Sequence, residues 1–395
     1  MTSDNGTATC IIVSGMSLRV FVVFLMVATT GARLGAQGIP TSAEDTRAQG
    51  VVQVRGTLPL PGVGAAAGTT VTKRFVLRYP ETGWNGSLVI GAHGGSGGNN
   101  FDPTGKVIGT DDTALDDVIG LYAVRRGHAY ASVDRDGAMS AEDGLALTLA
   151  FTRVATEELT RRLGRAPARR YLLGLSMGGG IARAAAEAPD SPFAGIVIVA
   201  GANGDAPTRL ARQRAMAEAW PAIDPKTHPG LPDTDPKVMA FADIIGTPVA
   251  ARRLWPYTAG NAVRAAASAA TPAAGAAGTS SGQVRRPTLE VAGTWDDFVI
   301  GELRAYAGRV TPRDQHRLYQ VDGVWHMSGD DDGTQSFMYV ASRMGLDPDV
   351  ARAMAEGPSY IPTVQQAFDH LVDWVERGVA PPPSQTVRPR ERLRP

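Results

Sequence analysis

Residues 169–190 read RRYLLGLSMGGGIARAAAEAPD. Tyr171 to Leu173 are apolar and β-compatible, Gly174-Leu175-Ser176-Met177-Gly178 fits the Gly-x-Ser-x-Gly pattern of a nucleophile elbow, and Ile181 to Ala186 favours helix. The pattern predicts a strand, a sharp turn and a helix, with Ser176 in the turn. A serine held there needs strained backbone geometry and small residues two positions before and after it, a need met by Gly174, Gly178 and Gly179. The helix that follows directs free backbone N–H groups at the serine, and the N–H of Met177 is a candidate to bind developing negative charge. A glycine-rich turn with an accidental serine is the plain alternative, and the flanking pattern argues against it.

Working outward, the chain has 395 residues, 43% of them hydrophobic, enough for one large α/β domain with an insertion. The 39 basic and 39 acidic residues cancel, so nothing electrostatic points to nucleic acid. Residues 1–36 differ in kind: Val20 to Ala28 is apolar, Arg19 precedes it, and Leu34-Gly35-Ala36 suits a signal-peptidase site, with Met16 an alternative start. That apolar run is well short of the roughly 20 residues that span a bilayer, so a cleaved signal peptide, a secreted product and no stable membrane association after cleavage are expected. The only cysteine, Cys10, lies in this leader, which leaves the mature chain without a disulfide, a thiol nucleophile or a cysteine metal site.

From Gln37 to Thr70 the composition predicts an exposed lead-in with one edge strand around Val51 to Val54. Strands follow at Val71 to Tyr79, Ser87 to Ala92 and Ala129 to Val133, with a helix opened by a capping box at Thr113 and Asp116 and running to about Arg126. A long helix over Ala141 to Leu163 leads into the elbow, and Gly195 to Ala200 is the next strand. This alternation predicts a mainly parallel sheet covered on both faces. It breaks at 205–286, read as a cap or lid with helices at Arg209 to Trp220 and Lys237 to Ile245 and a mobile stretch from Ala262 to Gly282. The sheet resumes at Thr288 to Ala292 and Arg317 to Val321. The expected organisation is leader 1–36, core 37–204, insertion 205–286, core 287–383 and a flexible tail 384–395.

Candidate chemistry lies at the ends of these strands. His93-Gly94-Gly95-Ser96 is a glycine-rich loop whose Gly94, Gly95 or Ser96 N–H is a second oxyanion donor; a phosphate-binding reading is weaker, because no Lys-Ser or Lys-Thr follows at P-loop spacing. Asp296 sits just past a strand, where an acid belongs that fixes a histidine tautomer, with Asp297 its rival. Of six histidines, His93, His128, His228, His316 and His370 fall in other contexts, and His326 alone follows a late strand. The chain order Ser176, Asp296, His326 is that of α/β-hydrolases. Trp295, Trp325 and Leu175 adjoin these residues and are candidates to line a substrate pocket, with core packing the alternative for the tryptophans. Asp330-Asp331-Asp332 lacks the spacing of a calcium loop and reads as a solvated acidic turn.

These segments together resemble the tannase and feruloyl-esterase family of secreted α/β-hydrolases. The resemblance rests on Trp84-Asn85-Gly86, on Arg126-Gly127-His128-Ala129-Tyr130, on the elbow with Phe193-Ala194-Gly195-Ile196-Val197, on Gly293 through Val299, on Trp325-His326, and on Trp374 through Pro381. It covers most of residues 71–383, and it favours Asp296 over Asp297 by placing the acid three residues after the glycine. It implies the α/β-hydrolase fold, a serine carboxylic-ester hydrolase that needs no cofactor, and small-molecule or polymeric esters as substrate. The chain departs from the family where cysteines typically stand before the serine and after the histidine; Leu175 and Met327 occupy those places. The insertion is also shorter than the family's usual lid. Extracellular polyesters and, with the same triad, peptides or amides are the alternative substrates, and a non-catalytic binding protein is disfavoured by the complete set of three residues.

Overall fold

The computed structural model describes residues 43–95, 98–111, 119–135, 139–202, 206–267, 280–326 and 346–389. The leader, the Thr113/Asp116 capping box, Ser96, Met327 and the Asp330-Asp331-Asp332 turn lie outside them. No helix among the described residues is long and apolar enough to cross a membrane.

Strands β1 (Glu44–Ala48), β2 (Val51–Pro61), β3 (Thr70–Pro80), β4 (Ser87–Ala92), β7 (Ala129–Val133), β8 (Arg169–Leu175), β9 (Gly195–Val199), β10 (Thr288–Gly293), β11 (His316–Val321) and β12 (Gln385–Val387) form one ten-stranded sheet; β5 (Gly98–Phe101) and β6 (Val107–Asp111) pair separately. The order across the large sheet is β1-β2-β3-β7-β4-β8-β9-β10-β11-β12. From β7 to β12 every neighbour is parallel, whereas β1, β2 and β3 join antiparallel. This order, with the elbow after the central β8, is the α/β-hydrolase fold.

Burial on both faces follows from strand alternation. Leu88, Ile90, Leu172, Ile196 and Ile198 face a core shared with α2 (Ala141–Leu163) and α3 (Met177–Glu187). Val89, Tyr171, Leu173, Val197 and Val199 face the other, covered by α1 (Gly120–Arg125) and the C-terminal helix Ile361–Arg377 through Val364, Phe368 and Leu371. Helix α2 begins where Ser140 accepts a hydrogen bond from the Asp143 N–H and ends at a left-handed Gly164. The segments Trp84-Asn85-Gly86 and Arg126-Gly127-His128 meet at the start of β4. There Asn85 N–H donates to Gly127 O (2.9 Å), and Ser87 Oγ lies between Asn85 Oδ1 (2.6 Å) and His128 Nδ1 (2.5 Å). Burial pushes the His128 pKa down to about 4, so this histidine is a neutral packing residue.

The structure corrects three expectations. The edge strand at Val51 to Val54 is instead the inner strand β2, paired along eleven positions with β3 and burying Val52, Val54, Leu58 and Leu60; its Gly56 and Pro59 obscure the alternation. Of the stretch taken as mobile, Ala262 to Gly282, the first six residues belong to a helix, Trp255–Ala267, anchored by the buried Trp255 and Ala262, and residues 268–279 lie outside the described residues. The tail contributes β12, which extends the sheet beside β11. Between β9 and β10 stand α4 (Ala206–Ala219), α5 (Pro236–Ile245) and α6 (Trp255–Ala267), with a core of their own in which Trp220, Phe241 and Trp255 pack ring against ring.

Candidate active site

Ser176 has φ +53°, outside the range comfortable for a residue with a side chain. Main-chain bonds hold it there: Ser176 N–H donates to Val199 O (2.9 Å), and Ser176 O accepts from Gly179 N–H (2.9 Å) and Ala202 N–H (2.8 Å). The glycines are sterically required. A Cβ on Gly174 would stand 2.3 Å from Gly178 O, and one on Gly178 would stand 1.9 Å from Ala92 O. Helix α3 starts at Met177, whose N–H is among those that no intrahelical carbonyl can reach.

The loop after β4 lies against this turn. A Cβ on Gly94 would touch Ser176 Cβ at 3.3 Å, and one on Gly95 would meet the Met177 sulfur at 2.3 Å. His93 braces the loop: its Nδ1 lies 2.6 Å from Gly94 O and its Nε2 accepts from Arg135 N–H (3.1 Å). Because C=O and the following N–H point oppositely across a trans peptide, the Gly95 N–H is directed away from the His93 ring. Of the three loop donors expected from sequence, Gly94 and Gly95 therefore stand beside the elbow, and Ser96 is not described.

The structure brings Ser176, His326 and Asp296 together. Ser176 Oγ is 2.9 Å from His326 Nε2, and His326 Nδ1 is 2.9 Å from Asp296 Oδ2. A carboxylate only accepts, so Nδ1 carries the proton and Nε2 is free to accept one from the serine. The other Asp296 oxygen accepts from the N–H groups of Phe298 (3.2 Å) and Val299 (3.3 Å), which fixes the carboxylate. Burial opposes a charge on His326, but the charge and hydrogen bond of Asp296, with the charge of Asp297, outweigh it, and the imidazole pKa lies above its ordinary 6.5. The remaining histidines are elsewhere: His93 in the loop brace, His128 on Ser87, His316 3.2 Å from Glu290, His228 beside Thr227 on the insertion, and His370 on the C-terminal helix.

The rival acid does not reach His326; Asp297 Oδ1 accepts from Trp325 Nε1 (2.8 Å). That bond also overturns Trp325 as a stacking surface for substrate, since the indole is fully buried. Trp295 is half-buried against the same apolar cluster, and Leu175 is half-buried at the end of β8. Several residues beside the site escaped the sequence reading. The Phe298 ring lies 5.0 Å from that of His326 and 5.3 Å from that of Tyr257, Tyr360 OH donates to His326 O (3.2 Å), and Arg212 from α4 donates to Asp297 O (3.0 Å) and Phe298 O. Phe298 sits in the quoted Gly293–Val299 segment and could have been singled out; nothing local marks the other three. Among the described residues there is no cluster of side chains suited to hold a metal ion.

A family described as an alpha/beta hydrolase domain matches residues 246–392, a span that includes Asp296 and His326 but not Ser176. No curated protein matches in sequence. Among solved structures, the chain is similar to feruloyl esterase B from Aspergillus oryzae, at 14% identity over 87% of this chain and 89% of that one, with a TM-score of 0.49. It is also similar to a rice cell wall degrading esterase from Xanthomonas oryzae, at 12% identity over 82% and 90%, with a TM-score of 0.45. A proline iminopeptidase from Mycobacterium smegmatis overlaps at 14% identity over 83% and 100%, with a TM-score of 0.36. These overlaps are too loose to bear on chemistry.

Proposed function

We propose that this chain is a secreted serine hydrolase of carboxylic esters that works through an acyl-enzyme. The observation that carries the reading is the unbroken hydrogen-bonded line from Ser176 Oγ through His326 to Asp296. Ser176 Oγ attacks the ester carbonyl while its proton passes to His326 Nε2. The oxyanion is taken by the Met177 N–H and by the loop of Gly94, Gly95 and Ser96. His326 then returns the proton to the leaving alcohol, and water enters by the same base to free the acid. Asp296 keeps Nδ1 protonated and stabilises the imidazolium.

Two features favour esters of aromatic acids or phenols. One is the segment-by-segment resemblance to tannases and feruloyl esterases, and the other is the pair of half-buried rings, Phe298 and Tyr257, beside the base. The leader supports export.

The test compares wild type with Ser176→Ala on p-nitrophenyl butyrate, methyl ferulate, methyl gallate, a polyester film and a peptide anilide. Ser176→Ala should lose turnover by on the order of 10⁴-fold or more while keeping its fold. Ferulate or gallate turnover would carry the aromatic assignment, whereas cleavage of the film or the anilide alone would replace it. Since the base works unprotonated and its pKa lies above 6.5, kcat/KM should rise with pH through a value above 6.5. An acid limb at about 5 would remove His326 as the base.

A further inference from the structure

Asp297 has no part in the steps above, yet it is fully buried, and a buried carboxylate is costly unless a partner compensates it. Its partner is the residue before the base. Two adjacent residues of one loop, Asp296 and Asp297, thus reach two adjacent residues of another, His326 and Trp325, through side-by-side hydrogen bonds of 2.9 and 2.8 Å. The main chains of the two loops also join, Trp295 N–H donating to Val324 O at 3.0 Å. A single hydrogen bond between His326 and Asp296 is a pivot, about which the imidazole can swing its far nitrogen away from Ser176. A second link one residue along would narrow that freedom by holding the loop from which the imidazole projects. The acid loop is in turn held from outside, where Arg212 of the insertion grips the carbonyls of Asp297 and Phe298 and pairs with Glu302 at 3.6 Å.

We propose that Asp297 and Trp325 are a positioning pair for His326, fixing the imidazole so that Nε2 stays within reach of Ser176; this rests on the hydrolase reading above. The pair also carries charge. Burial and the neighbouring Asp296 push the Asp297 pKa up to about 7, against the Trp325 donor and the Arg212 cation. Once ionised, Asp297 adds to the pull of Asp296 on the His326 proton. The two functions of the pair, geometry and charge, are separable by substitution.

Trp325→Phe keeps an aromatic ring and removes the donor. Asp297→Asn keeps an acceptor oxygen for the indole and removes the charge. Both are measured for kcat, KM, the pH profile and thermal unfolding, and, in a Ser176→Ala background, for the NMR resonance of the His326 Nδ1 proton and the titration of its ring. Trp325→Phe should lower kcat roughly ten- to a hundredfold with KM nearly unchanged, and should broaden or lose the Nδ1 resonance. Asp297→Asn, which keeps the acceptor, should lower kcat less than Trp325→Phe does and should move both the acid limb and the ring titration to lower pH. A Trp325→Phe protein with wild-type kcat and an unaltered Nδ1 resonance would overturn the pair. Equal losses in both variants, with no change in pH profile or resonance, would also overturn it, as the mark of general destabilisation. The NMR arm does not depend on turnover: if wild type cleaves no ester, the hydrolase reading falls by itself and the resonance still decides whether the pair positions His326.

Discussion

On the nucleophile side of the site, Ser176 is fixed by main-chain bonds to Val199, Gly179 and Ala202 and by glycines packed so closely that no Cβ fits; on the base side, His326 takes its place from the side chains of Asp296, Trp325, Phe298 and Tyr360. The two halves therefore differ in what they tolerate. A main-chain turn admits almost no variation at the positions where atoms touch, because backbone cannot rotate out of the way. A base held by side chains can be retuned in orientation or pKa by exchanging one partner at a time. The nucleophile half is built for rigidity and the base half for adjustment.

The sharpest way to break this comparison is Gly178→Ala. Its methyl group would stand 1.9 Å from Ala92 O and 2.8 Å from His93 O, so the variant should lose about 3 kcal/mol or more in urea unfolding, or fail to fold. A stable, active variant would show that the turn yields after all. A slightly smaller effect is expected where the nucleophile half does lean on side chains. Arg183 on α3 donates to Gly201 O (3.2 Å) and Ala202 O (3.0 Å) beneath Ser176 and pairs with the buried Glu290 at 2.8 Å. Glu290→Gln leaves a buried cation without its counterion and should cost about 3 kcal/mol in thermal unfolding, with the acid limb of the pH profile in place. A moved limb would mean that this half tunes the base as well. The smallest effect is expected from Arg212→Met, about 1–2 kcal/mol with a few-fold lower kcat, because water can replace part of what Arg212 gives the Asp297 and Phe298 carbonyls. No change in kcat would separate the insertion from the chemistry.

The same division decided what could be read from the sequence. A turn that excludes Cβ atoms writes itself into the chain as glycines at fixed spacing, so Gly174, Ser176 and Gly178 declared the elbow directly. His326 was legible as a polar residue just past a strand end, and so was an acid at Asp296 or Asp297, between which the family resemblance chose. Their supports were not, because Arg212, Tyr257 and Tyr360 become neighbours only when distant segments fold together, and Trp325 looks the same in sequence whether it faces substrate or Asp297. Elsewhere, β2 hid behind Gly56 and Pro59, and the Ala-rich composition around Ala262 concealed a helix that Trp255 secures by burial.

Among the described residues the ten-stranded sheet is open, and its two borders are unlike its centre. One border is β1, with sequence EDTRA, exposed over Glu44 to Arg47 and tied back to α2 by Asp45 and Arg162 at 2.7 Å. The other is β12, three residues long and preceded by Pro381, Pro382 and Pro383. Bare strand borders recruit further strands from other copies, and charges, brevity and nearby prolines are the features that discourage them. Both ends of this sheet carry such features, which discourage edge-to-edge joining between copies.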